Sequence, residues 1–253
     1  MSLLGGESGV GDRESLRRGL LRLLQGVAVV VASLFGAGVA VQAVVPPLVA
    51  AGAFAEGGVG AELAGMVVQF GTFLAVVALF VRGAGRGGLL TASVPGRRDA
   101  LLLAGGYVAL LALQFLSVRL LGSFGVSTGT NRVVELGRET PALFLYLIPV
   151  SVLLVGPAEE LVFRGTVQGL LREAWGPSAA VVVASLVFGA IHYWSVGGGP
   201  VERLSYVAVA AVLGAVLGAL YELTGNLVVP VAVHGTYNAT LFAIQYLSVT
   251  GVV

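Results

Sequence analysis

Long runs without a charged side chain constrain the fold of this chain more than any other feature. A helix needs about 20 consecutive apolar residues to cross the hydrocarbon core of a bilayer, because it rises only about 1.5 Å per residue. Five charge-free runs have about this length: residues 24–45, 63–81, 100–118, 204–221 and 227–253. We therefore predict that each of them spans a membrane as a helix.

The composition agrees with a membrane protein and excludes several kinds of chemistry. Of the 253 residues, 57% are hydrophobic and 11% are charged, whereas about a quarter of a typical soluble domain is charged. A formal net charge of +1 gives no reason to expect a nucleic-acid partner. The chain has no cysteine, which excludes disulfides, thiolate metal ligands and a cysteine nucleophile.

Two shorter apolar runs, residues 143–155 and 178–191, flank the segment "GPAEELVFRGTVQGLLRE" at 156–173. Thr140-Pro141 is a typical helix start, and Gly156-Pro157 predicts a kink within a helix over about 142–173. Such a helix places Glu159 near the middle of the membrane. The predicted fold is an all-α, polytopic transmembrane bundle of seven helices, or of eight if the kink is a complete break.

The distribution of arginines predicts the orientation of the chain. Arginines precede the first run and follow the second, whereas the loop between these runs carries Glu56 and Glu62 without a basic residue. This pattern indicates a multi-pass protein of the cell membrane with a cytoplasmic amino terminus. We divide its single membrane domain into a basic amphipathic segment (1–22), three N-terminal helices (23–121) and a helical core (122–253). A cleaved signal peptide is the alternative for the amino terminus.

Polar side chains within the apolar core fall on three predicted helices. Residues four apart share a helix face, and three such pairs occur: Glu160 with Arg164, Phe188 with His192, and His234 with Asn238. A turn near Gly176 would make the first two helices antiparallel. Glu160 and His192 are each 16 residues from that turn, so we expect them at the same depth.

Several interpretations of this polar set are open from the residues alone. Glu160 and Arg164 could form a buried ion pair that holds two helices together, and the histidines could be structural. A transporter or a scaffold could use the same polar faces. For an enzyme, three known mechanisms of proteolysis are disfavoured. No glycine-framed serine motif and no H-E-x-x-H zinc motif occur, and the two aspartates that an aspartyl protease would need, Asp12 and Asp99, lie among arginines at helix ends. Water activated by Glu159, with or without a metal, remains.

The segments "EELVFR", "FGAIH" and "HGTYN" resemble the E-E-x-x-x-R, F-x-x-x-H and H-x-x-x-N/D motifs of the CPBP family of intramembrane proteases. This family includes type II CAAX prenyl endopeptidases and bacteriocin-processing or self-immunity proteins. The resemblance covers about residues 142–250, in the same order and spacing, and does not extend to the N-terminal helices.

The resemblance implies a role for each motif residue. Glu159 would activate the water, His192 would help to hold it, and His234 and Asn238 would stabilise the oxyanion, with Glu160 and Arg164 as a supporting pair. The alternative is a zinc ion bound by Glu159, His192 and His234 with an open fourth position; Asn238 favours the metal-free site, because an amide suits an oxyanion better than zinc. The implied partners are the lipid bilayer and a membrane-associated peptide or prenylated protein.

Overall fold

The computed structural model describes residues 7–252, with side-chain surroundings from residue 14 onward, and this part of the chain is helical without a β-strand. The predicted all-α fold is therefore confirmed. The α-helices are α1 (Glu7–Ala50), α2 (Val59–Gly83), α3 (Arg97–Ser123), α4 (Arg132–Glu139), α5 (Ala142–Val150), α6 (Gly156–Glu160), α7 (Gly169–Ile191), α8 (Pro200–Thr224) and α9 (Val228–Val249).

Five helical stretches within the described residues are long and apolar enough to cross a membrane: Glu14–Ala50, Val59–Gly83, Arg97–Ser123, Ala142–Trp194 and Pro200–Thr224. Four of the five predicted runs lie inside them. The run at 227–253 forms α9, which is not among them, because polar residues such as His234, Asn238 and Gln245 interrupt its apolar sequence. The two shorter runs instead form the stretch Ala142–Trp194.

The helix that carries the two glutamates is continuous from α5 to the first half of α7. π-Helical segments, Ser151–Val155 and Leu161–Gln168, lie on either side of α6. A π turn is wider than an α turn, so it relieves the clash of the Pro157 ring with the preceding turn. The chain therefore does not break at Gly156-Pro157. Residues 7–252 form seven long helices rather than eight: α1, α2, α3, the helix from α5 to Gly176, the second half of α7, α8 and α9.

The predicted turn near Gly176 is present. Gly176 has a φ of 77°, a left-handed conformation that glycine adopts without steric cost, and it divides α7 into two antiparallel arms. Arg164 and Phe188 are equally far along the chain from this turn, and the Arg164 guanidinium carbon lies 5.2 Å from the centre of the Phe188 ring. This contact shows that the two arms pack side by side, whereas the equal depth predicted for Glu160 and His192 has no direct contact that tests it and stays a prediction.

The amino-terminal helix is longer than the first predicted span. The basic segment predicted at 1–22 is continuous with that span from Glu7, and residues 1–6 lie outside the described residues. Arg22 from α1 and Arg86 from the loop after α2 both contact Glu173, with N···O distances of 3.0 and 2.7 Å. The arginines of these two segments therefore meet at the same end of the bundle.

A backbone contact between glycines brings α9 against α6. A Cβ on Gly156 would lie 3.0 Å from the Val231 carbonyl oxygen, and one on Gly235 would lie 2.8 Å from the Val152 Cα. Neither position therefore has room for a larger residue. Small residues let helix backbones approach closely, and these two glycines permit the approach here. This contact sets the distance of His234 from the two glutamates.

Candidate active site

Glu160, Arg164 and His234 form a buried hydrogen-bonded group in which the carboxylate is the centre. Glu160 Oε2 accepts a bond of 2.9 Å from Arg164 Nε, and both side chains are 0% exposed. Glu160 Oε1 lies 2.8 Å from His234 Nδ1. Because a carboxylate paired with a guanidinium is an acceptor, Nδ1–H of His234 is the donor. Glu160 thus fixes the orientation of the imidazole and directs Nε2 away from itself.

Glu159 faces the other nitrogen of the same imidazole. Its Oε2 lies 3.7 Å from His234 Nε2, which exceeds a direct hydrogen bond, and its side chain is 12% exposed. The two adjacent glutamates therefore differ in their surroundings. Glu160 is fully buried and paired with Arg164, whereas Glu159 is at the edge of the buried region. The Glu159 carboxylate lies near Nε2 of the His234 ring, whose orientation is set by Glu160.

His192 lies next to this group but does not contact the glutamates directly. It follows α7 in a 3-10 turn, and its Nδ1–H donates to the Phe188 carbonyl oxygen at 2.7 Å, which leaves Nε2 free. Within the described part of the chain, no carboxylate oxygen is within 4.0 Å of its ring nitrogens. The Phe188 ring packs edge-to-face against both histidines, with centroid distances of 4.7 Å to His192 and 5.9 Å to His234.

Asn238 is one turn after His234 in α9, as the spacing predicts, and is partly buried. The bonds found for Glu160, His192 and His234 do not include its amide. The structure therefore brings Glu159, Glu160, Arg164 and His234 together directly. It shows no direct hydrogen bond or ion pair from His192 or Asn238 to either glutamate among the described residues.

The side chains do not form a preorganised metal centre. Among the residues that the structure describes, no three His, Cys, Asp or Glu side chains converge closely enough to hold an ion. The zinc set of Glu159, His192 and His234 would need His192 to move toward the other two, since only Glu159 and His234 are neighbours.

Sequence reasoning missed the contact of Glu160 with His234 and a group of buried polar atoms behind Arg164. Arg164 Nη1 and Nη2 and Ser185 Oγ have no hydrogen-bond partner within the described structure. A Cβ on Gly214 would lie 3.4 Å from Arg164 Nη2 and 3.5 Å from Ser185 Cβ, so both side chains border this glycine. Gln168, four residues after Arg164, is also fully buried. Its spacing on the same helix face could have identified it.

Comparison with known proteins finds a family similarity in the part of the chain that contains the three motifs. Residues 141–240 match the family described as type II CAAX prenyl endopeptidase Rce1-like. An uncharacterized protein of Bacillus subtilis, YpbD, is 32% identical over 117 residues, which is 46% of this chain. The matched region covers 52% of YpbD, about half of its length. No solved structure matches the chain significantly. The part of the chain that carries the three motifs is therefore similar to the family of Rce1-like type II CAAX prenyl endopeptidases.

Proposed function

We propose that this protein is an intramembrane endopeptidase in which Glu159 activates the attacking water. The observation that carries the proposal is the position of Glu159 Oε2, 3.7 Å from an imidazole nitrogen that the buried Glu160–Arg164 pair has oriented. A general base must be positioned close to the reacting atoms and shielded from bulk solvent. The Glu159 side chain is only 12% exposed, which meets the second requirement. The family match supports peptide-bond hydrolysis.

The proposed reaction begins with proton transfer from water to the Glu159 carboxylate. The resulting hydroxide attacks the carbonyl carbon of the substrate, and the carbonyl oxygen becomes an oxyanion. Glu159 then gives the proton to the peptide nitrogen as the C–N bond breaks, which yields a carboxylic acid and an amine; the acid then transfers its proton to the amine, which gives a carboxylate and an ammonium group. One residue thus serves as base and then as acid.

His234 and Asn238 are the proposed oxyanion donors. Glu160 accepts the Nδ1–H of His234 and compensates the charge of an imidazolium, so that Nε2–H can donate to the oxyanion. Asn238, on the same face of α9, would supply an amide N–H. His192 keeps Nε2 free because its Nδ1–H bonds a backbone carbonyl, and we assign it to the binding of the attacking water.

The proposed substrate is a membrane-associated prenylated protein or peptide of the CAAX type. The family description supports this class, and a leader or bacteriocin-type peptide is the alternative within the wider CPBP family. The proposed location is the cell membrane, with the amino terminus and the end of the bundle that contains Arg22, Arg86 and Glu173 on the cytoplasmic side.

Purified protein in proteoliposomes tests the proposal. We expect it to shorten a farnesylated CAAX peptide, and the product is detected by mass spectrometry of the lipidated fragment. The same peptide without the prenyl group and a leader-type peptide serve as separate substrates, so the assay distinguishes the substrate classes. Absence of cleavage of all three substrates would contradict the assignment as an endopeptidase.

Removal of metal ions is expected to leave the activity unchanged. Zinc bound by two imidazoles and a carboxylate would be lost to strong chelators, whereas a water activated by Glu159 does not depend on them. The measurement is the cleavage rate after exhaustive treatment with o-phenanthroline or EDTA, together with elemental analysis. Activity that is lost on chelation and restored by about one zinc per chain would replace the metal-free mechanism.

A further inference from the structure

The motif helix, which we define as the continuous helix from α5 to Gly176, has a polar face that continues one turn beyond Arg164. Gln168 is 0% exposed, and its Nε2 donates to the Gly218 carbonyl oxygen at 3.0 Å and to Glu222 Oε1 at 2.9 Å. The other oxygen of Glu222 lies 3.2 Å from Nε of Arg172, which is 53% exposed. Gln168 is thus the buried side chain that fastens the motif helix to α8, and Glu222 links this contact to the surface.

Helix α8 has a glycine opposite each of two buried polar residues of the motif helix, Gln168 and Arg164. A Cβ on Gly218 would lie 2.7 Å from Gln168 Oε1, and a Cβ on Gly214 would lie 3.4 Å from Arg164 Nη2. The two glycines are four residues apart, as are the two polar residues that face them. The match of these spacings holds the motif helix in one rotation and at one depth against α8.

Gln168 is also the last residue of the π-helical segment Leu161–Gln168, which contains Arg164. π-Helical turns are rare and occur mostly as local insertions at functional sites. A segment of this kind needs contacts from its surroundings, and the two hydrogen bonds of Gln168 to α8 supply them at its end.

We propose that Gln168 is a positioning residue for peptide hydrolysis: its bonds to Gly218 and Glu222 set the rotation of the Leu161–Gln168 segment and, through Arg164 and Glu160, the orientation of His234. This proposal rests on the proposed function, but its structural part can be measured without a substrate. Gln168 itself does not touch the reacting atoms. It acts through the chain of contacts that ends at His234 Nδ1.

The substitution Gln168→Met tests the proposal, because it removes both hydrogen bonds and nearly preserves the side-chain volume. Misplacement of a catalytic group by about 1 Å can cost about 100-fold in rate, so we expect kcat to fall about 10-fold to 100-fold with little change in KM. The substitution Gly218→Ala should also lower kcat, because the new Cβ displaces the Gln168 amide. This variant leaves the amino-acid sequence of the motif helix unchanged.

Two control variants separate positioning from general effects. Arg98→Gln changes an exposed residue in the first turn of α3, which forms none of the contacts described for Gln168, so its kcat should equal that of the parent. Gly105→Ala adds a Cβ within α3, where no atom lies within 4 Å, and controls for a glycine substitution in a helix.

The two histidines of the chain provide a readout that does not depend on activity. In ¹⁵N-labelled protein, Gln168→Met and Gly218→Ala should shift the His234 imidazole resonances more than those of His192. A residue that only stabilised the fold would lower Tm and leave these resonances and kcat per folded molecule unchanged, and that result would overturn the proposal. A parent protein that cleaves no peptide would instead contradict the proposed function, while the resonances still test the positioning.

Discussion

Glu159→Gln is expected to abolish peptide hydrolysis while the protein still folds and inserts into the membrane. The amide has nearly the same volume as the carboxylate but cannot accept the proton of the attacking water. A positioned general base contributes about 10²-fold to 10⁴-fold to the rate, so the loss should be at least of that size. The Glu159 side chain is 12% exposed and only approaches His234 Nε2, at 3.7 Å, so little stability should be lost. The measurements are the cleavage rate in proteoliposomes and the thermal melt in detergent.

Glu56→Gln is the matched control for this substitution. Glu56 is exposed in the loop between α1 and α2, so the same chemical change there should leave the cleavage rate unaffected. Equal rates for Glu159→Gln and the parent protein would remove Glu159 from the mechanism. A variant that neither folds nor inserts would show instead that Glu159 is a structural residue.

The second large effect is expected at the buried pair, where Glu160→Gln and Arg164→Leu should each lower the stability as well as the activity. Either change leaves one charge without its partner at a position that is 0% exposed, which costs about 3–5 kcal/mol. The double variant should be less destabilised than the sum of the single variants, because it removes both charges. The free energies of unfolding of the parent, the two single variants and the double variant give the interaction energy between Glu160 and Arg164.

Arg86 and Glu173 form the control pair. Their N···O distance of 2.7 Å is shorter than the 2.9 Å of the buried pair, but the side chains are 23% and 41% exposed. Exposed ion pairs contribute about 0–1 kcal/mol, so Arg86→Leu and Glu173→Gln should have small effects. Burial rather than distance should therefore decide the size of the effect. Additive effects of Glu160→Gln and Arg164→Leu would show that the two buried residues do not act as a pair.

Contacts between residues that are close in the chain could be predicted from the sequence. The Glu160–Arg164 bond follows from a spacing of four residues on a helix, and the turn at Gly176 was also predicted. The helical spans could also be predicted, since a charge-free run of sufficient length has few other stable structures in a membrane. The exception was α9, in which the polar site residues themselves reduce the apolar character.

The contacts that complete the candidate site depend on the tertiary structure. His234 is 74 residues from Glu160, and its ring reaches that carboxylate because Gly156 and Gly235 let two backbones touch. The π-helical segments on either side of α6 were not revealed by any pattern in the sequence. The sequence by itself determined the helices, the turn and the pairs within one helix, because these depend on local hydrogen bonds and on the solvent. Only the tertiary structure decided which glutamate holds His234, because helix rotation and depth are set by packing between distant segments.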